Sequence, residues 1–133
     1  MNKRGFTLIE LMAVVTVLAI LSLIIIPIVD RNLKKSKDDL HKIQIENIRL
    51  AAKGYFSDHI DKRPINGRKC SILLSDLISN GYISSELVDP RTDEPFTGYS
   101  VQISNIGTDG KDVYSYHVCP EESACESSVQ SCL

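Results

Sequence analysis

The chain has 133 residues, 43% of them hydrophobic, with 15 basic and 17 acidic side chains giving a formal charge of −2. That average hides a split, because positions 6 to 29 hold a single charged residue and all the others lie outside them. Setting the block aside leaves roughly a hundred residues, which permits one small domain and excludes a multidomain enzyme; the near-neutral charge excludes a strongly basic nucleic-acid protein and an acidic disordered tail.

The block from Phe6 to Val29 would be about 36 Å long as a helix at 1.5 Å per residue, enough to cross a hydrocarbon core. A basic leader, Lys3 and Arg4, precedes it. A cleaved secretory signal shares that leader, but the block is longer than such a signal needs and no small-x-small site follows it. Pro27, near the outer end, removes one backbone donor and predicts a local kink. Glu10 is the anomaly: a carboxylate among apolar side chains costs a few kcal/mol unless it is paired or faces protein. The block offers no cation of its own, the nearest being Arg4 and Lys3. The alternative is that Glu10 snorkels to the membrane edge.

The string Gly5-Phe6-Thr7-Leu8-Ile9-Glu10, behind a short basic leader and ahead of an unbroken apolar run, closely resembles the class III signal of type IV pilins and type II secretion pseudopilins. The resemblance covers about the first 30 residues. It implies that a prepilin peptidase cuts between Gly5 and Phe6 and methylates the new amine of Phe6, so that leader 1–5 is lost and the anchor 6–29 stays. It further implies a single-pass membrane protein before assembly and a cell-surface or extracellular filament afterwards. The implied partners are further copies of the chain, the peptidase, an assembly platform protein and a cytoplasmic ATPase. The new ammonium at Phe6 would then supply the missing counter-charge to Glu10, within one chain or between neighbours. A buried ion pair adds little net stability, whereas an unmatched buried charge costs several kcal/mol, so such a pair acts as a register device.

Past the block, Arg31, Lys34, Lys35 and Lys37 oppose Lys3 and Arg4, so charge bias does not fix the orientation. Outward placement of the remainder rests on the resemblance and on the cysteines, all of which follow the block. Residues 30–60 keep helical character, with Leu33, Leu40, Ile43, Ile48, Ala51, Ala52, Tyr55 and Phe56 at helical spacing among charges. Span and stripe together predict one helix of about 80 Å, ending near Gly54.

Residues 61–133 are expected to form the head. A loop with Lys62, Arg63, Arg68 and Lys69 could touch DNA, though the sequence shows no aromatic interleaving to stack bases; a solvated basic loop is the alternative. Ser71 is expected to cap a short helix carrying Ile72, Leu73, Leu74, Leu77 and Ile78, stopped by Asn80-Gly81. Tyr99, Val101 and Ile103 alternate as a strand, Asp109-Gly110 signals a hairpin, and Tyr114, Tyr116 and Val118 alternate on the return. A third strand is conceivable near the C-terminus, where Pro120 to Leu133 is polar and reads mostly as loop. The expected fold is α+β: a long N-terminal helix, half transmembrane and half amphipathic, packed on a small antiparallel sheet and tied by disulfides. The Gly-Tyr-Ile and Asp-Pro wording at 81–83 and 89–90 is a looser likeness to pilin and pseudopilin heads.

Cys70, Cys119, Cys125 and Cys132 allow three pairings that sequence does not separate, and their even count favours two disulfides. A zinc site using His117 and cysteines is the rival, but the gaps between successive cysteines do not suit zinc knuckles. Asn105, Asp109 and Asp112 could hold calcium, although their spacing is that of a hairpin loop and not an EF-hand. No metal, no cofactor and no enzymatic activity are expected, since His-Glu-x-x-His, Gly-x-Ser-x-Gly and phosphate-binding glycine loops are missing from the sequence. The expected function is that of a type IV pilin-like structural subunit for adhesion, motility or DNA uptake. The alternatives are a secretion pseudopilin and a membrane-anchored binding module that never polymerises.

Overall fold

The computed structural model describes residues 5–133, which fall into two compact units, one ending at Asp38 and the other running Asp39–Leu133. One helix, α1 (Leu8–Asp58), contributes to both. It passes through Pro27, which lies inside the helix without ending it, and continues beyond Gly54.

In the first unit every large apolar side chain from Phe6 to Val29 is at least 48% exposed. Helix formation here satisfies the backbone, and the two hydroxyls beyond the first turn fold back on it: Thr16 donates to the Met12 carbonyl (2.7 Å) and Ser22 to Leu18 (2.8 Å). A helix so apolar, with a mean hydropathy of 3.0 over 18 residues, has the length and composition to cross a membrane.

In the second unit α1 turns His41, Ile45, Ile48, Ala51, Ala52, Tyr55 and Phe56 inward. The stripe read from sequence therefore holds from Ile48 onward and is rotated before it. Leu33, Leu40 and Ile43 are 55%, 50% and 56% exposed. The inward positions are taken by Ile45 and by His41, a polar residue that an apolar template passes over.

After a 3-10 turn (Ile60–Lys62), the chain forms β1 (Lys69–Leu73), α2 (Leu74–Ser79), the two-residue strands β2 (Val88–Asp89) and β3 (Glu94–Pro95), β4 (Ser100–Asn105) and β5 (Tyr114–Cys119). The main sheet has order β1-β4-β5 and is antiparallel, with Cys70 opposite Ile103 and Ile103 opposite Tyr116. One face carries Cys70, Ile72, Val101, Ile103 and Val118, which join Ile48, Phe56 and Leu77 in the core. Burying each such side chain stabilises the head by about 1.5–3 kcal/mol relative to exposure.

Ser71 does not cap a helix. It lies in β1, and α2 begins at Leu74 after Leu73. The run Ile72-Leu73-Leu74 fits either period, and the alternating burial of Cys70 and Ile72 decides for a strand up to Leu73. This is also the third strand, placed before the hairpin and not at the C-terminus. The C-terminal stretch adds an isolated parallel bridge of Ser131 to Ser71. The stop of α2 is as read: Gly81 has φ +78°, Tyr82 N–H donates to the Leu77 carbonyl and Gly81 N–H to Ile78, both 3.0 Å, a Schellman closure. The predicted turn forms with Asp109 and Gly110 at φ 57° and 75°.

Two disulfides are present, Cys70–Cys132 and Cys119–Cys125. The first ties the last residues to the inner side of β1; the second closes a short loop at the end of β5.

Candidate functional site

At the head of α1, Gly5, Phe6 and Thr7 lie outside the helix, which begins at Leu8. The reason is local. Glu10 Oε2 accepts hydrogen bonds from the Thr7 backbone N–H and the Thr7 hydroxyl, both 3.0 Å, and the Thr7 Oγ1 accepts from the Glu10 N–H at 3.3 Å. This is a capping box, Thr-x-x-Glu, in which each side chain satisfies the other residue's orphan amide. The carboxylate also stands in the first helical turn, where the helix dipole favours negative charge. Sequence reasoning singled out Glu10 and missed its partner Thr7, although the Thr-x-x-Glu spacing was the available signal. Glu10 does not lack polar company: among the described residues it is held by the Thr7 donors. Phe6 is 83% exposed beside it.

The second polar assembly lies in the head. His41 Nδ1 is 3.0 Å from Asp89 Oδ1, and its Nε2 stands 3.2 Å from Glu121 Oε1, an ionic approach at an angle that makes no hydrogen bond. Arg91 joins both acids, with Nη2 3.0 Å from Asp89 Oδ2 and 3.0 Å from Glu121 Oε1. The Tyr99 hydroxyl donates to Glu121 at 2.7 Å. The Arg91 hydrogen bonds hold the Asp89 carboxyl down to about 2 against the effect of burial, with His41 assisting. The Tyr99 hydrogen bond, with that of Arg91, likewise holds Glu121 below its ordinary value against burial. Burial, with Glu121 beside it, pushes the Tyr99 hydroxyl up to about 12. His41 also stacks on Phe96, ring centroids 5.7 Å apart. The network pins α1 to the β2–β3 turn and to the loop after β5, and so helps to fix the buried register of the helix.

The sequence pattern described as the prokaryotic N-terminal methylation motif matches residues 1–26. The chain is 33% identical over 109 residues to a ComG operon protein 3 homolog of Bacillus licheniformis, covering 79% of this chain and 94% of that protein. It is 32% identical over 95 residues to the competence protein ComGC of Bacillus subtilis, covering 68% and 85% respectively. The chain belongs to the ComGC family. It is therefore a pilin-like protein, and its apolar helix with the methylation motif fits membrane anchoring. No solved structure matches it significantly.

For a ComGC-family head, the remaining sequence candidates fall into place as structure. Asn105 donates to Asp112 Oδ1 (2.7 Å) and to the Pro64 carbonyl (3.3 Å), while its Oδ1 accepts from Gly107 N–H (3.0 Å). The oxygens considered for calcium are thus partly committed to the loop, and among the described residues no group of three or more His, Cys, Asp or Glu side chains is arranged to hold a metal. The four cysteines are oxidised, and His117 is hydrogen-bonded to Ser115 and Glu122. In the basic loop, Arg63 donates through Nε to the Phe56 carbonyl (2.6 Å) and lies 5.4 Å from the Tyr114 ring centre, and Lys69 pairs with Glu126. Aromatic company for the loop therefore exists in space, supplied by β5, though it was invisible along the chain. Pro27 stays within α1 among exposed isoleucines.

Proposed function

We propose that the chain is a structural subunit of a competence filament, stored in the membrane by residues 6–29, cut between Gly5 and Phe6, methylated at Phe6, and polymerised through α1. The observation that carries this reading is an acid, Glu10, at the first turn of a helix whose apolar surface over residues 8–29 is exposed on every side. Such a surface needs either lipid or other helices around it.

The capping box gives Glu10 an arrangement that costs little while the chain waits as a monomer. On assembly the dry interior of a helix bundle would penalise the anion, and the Phe6 ammonium of a neighbouring copy offsets that penalty in one axial position only. The contribution of this chain to assembly is mechanical, while cleavage and force come from the separate peptidase and motor. Competence is favoured over adhesion or secretion by the family membership, since the names of both relatives carry the ComG designation.

The test compares wild-type chain and Glu10→Ala in the native host. The variant should insert in the membrane and be cleaved, yet contribute little to filaments sheared from the surface. N-terminal sequencing of filament material should begin at methylated Phe6. Normal filament yield from Glu10→Ala, or filaments that retain Gly5, would overturn the proposal.

A further inference from the structure

The sheet face turned away from α1 carries Ser71, Gln102, Ser104, Ser115 and His117, as the register dictates. The chain after β5 folds back over it. Gln102 Nε2 donates to the Glu126 carbonyl (2.6 Å) and its Oε1 accepts from the Glu126 N–H (3.0 Å). Cys119–Cys125 closes the intervening loop.

Under that loop three side chains form a line. Ser115 Oγ lies 2.6 Å from His117 Nε2, and His117 Nδ1 lies 2.7 Å from Glu122 Oε2. The other oxygen of Glu122 accepts from Arg49, which also pairs with Glu46. Against the effect of burial, hydrogen bonds from His117 and Arg49 hold Glu122 below its ordinary value; an ionised Glu122 takes the Nδ1 proton as its hydrogen-bond donor, and that tautomer leaves the Nε2 lone pair to receive the Ser115 hydroxyl. Ser115 and His117 are two apart on one strand, so the backbone itself sets them side by side. His117 is 32% exposed at its side chain, and Ser115 is half-buried, so a small molecule can reach them. A hydroxyl, an imidazole and a carboxylate in this order are the parts that turn a serine into a nucleophile. The Ser115-x-His117 spacing lies outside the Gly-x-Ser-x-Gly pattern.

We propose that Ser115 is a histidine-activated nucleophile that takes the acyl group of a small activated carboxylic ester. The Ser115 oxygen attacks the carbonyl carbon and a new C–O bond forms, while His117 Nε2 accepts the hydroxyl proton. The ester C–O bond then breaks, and the leaving alcohol departs with that proton, so that O-acylserine and free alcohol are the products. Glu122 remains ionised beside the transient imidazolium and is a positioning residue. Water can later attack the acyl carbon by the same route and restore the serine. This activity is independent of the filament reading, and either can stand without the other.

The experiment uses the full chain in detergent micelles with p-nitrophenyl acetate, following nitrophenolate release and mapping acetyl groups by peptide mass. A positioned general base contributes about 10²–10⁴-fold, so Ser115 should acetylate at least about 100-fold faster than any other serine of the chain. His117→Gln should remove most of that advantage and change the pH profile of the acetylation. Glu122→Gln should lower the rate and distort the same profile, while a melt checks that each variant is folded. As a second readout Ser115→Cys is treated with iodoacetamide, and its thiol should alkylate faster than the same thiol in a Ser115→Cys/His117→Gln chain. Acetyl groups scattered over surface serines and lysines, a Ser115 rate indifferent to His117→Gln, or equal thiol rates in the two cysteine chains would each overturn the proposal.

Discussion

Residues 6–29 and the head spend their apolar side chains in opposite ways. In the first, the large apolar side chains are all about half exposed or more, and the Thr7–Glu10 cap is itself exposed. In the second, Phe56, Ile48, Ile72, Leu77, Ile103, Val101 and Val118 are fully enclosed by their own chain. The lesson is that the first region is stable only in company, of lipid or of other helices, whereas the second carries its own company. Changes in the first should therefore be read in assembly, and changes in the second in melting.

The largest expected effect is the one that separates the two outright. Glu10→Ala should reduce filament incorporation at least tenfold while leaving the melting temperature of the head unchanged in detergent; a lowered melting temperature would show that the regions are energetically coupled. Next, Cys70→Ser with Cys132→Ser opens a link across a sequence separation of 62 residues, worth about 4 kcal/mol by the chain-entropy estimate. Opening Cys119–Cys125, with a separation of 6, should cost only about 2 kcal/mol by the same estimate. Denaturant melts of the two double variants test the order.

Replacing core and stripe residues sharpens the comparison within α1. Ile48→Ala should cost about 2–5 kcal/mol because it empties a fully enclosed position. Leu40→Ala and Ile43→Ala, on the exposed side, should each change the melt by less than about 0.5 kcal/mol. Acid sensitivity tests the polar network of the head. Asp89 has its folded value depressed to about 2 from 3.8, so its contribution, roughly 2 kcal/mol, is complete above pH 3.8 and lost as pH falls through 2. Glu121 and Glu122 are depressed in the same direction. Asp89→Asn should flatten the acid limb of a stability-versus-pH curve, and an unaltered limb would remove Asp89 from the network.

The N-terminal motif was legible because its information is a contiguous string, and the hairpin strands because alternation is local. The cap is equally local, its signal being the Thr7-x-x-Glu10 spacing of donor and acceptor and not a charge. Other features were illegible for physical reasons. The β1–α2 boundary falls inside an apolar run that satisfies both periods, and only pairing with β4 resolves it. The disulfide partners depend on where the last residues lie against β1, a contact across most of the head. His41 and Glu121 are 80 positions apart and meet only after folding.

His41 is also the earliest residue of α1 to be enclosed, and this marks how far the polypeptide tolerates trimming from its amino end. A soluble fragment started at Asp39 would keep every enclosed side chain. One started a turn later would strand Asp89 and Glu121 with Arg91 as their shared cation and leave the flat side of Phe96 without its stacking partner.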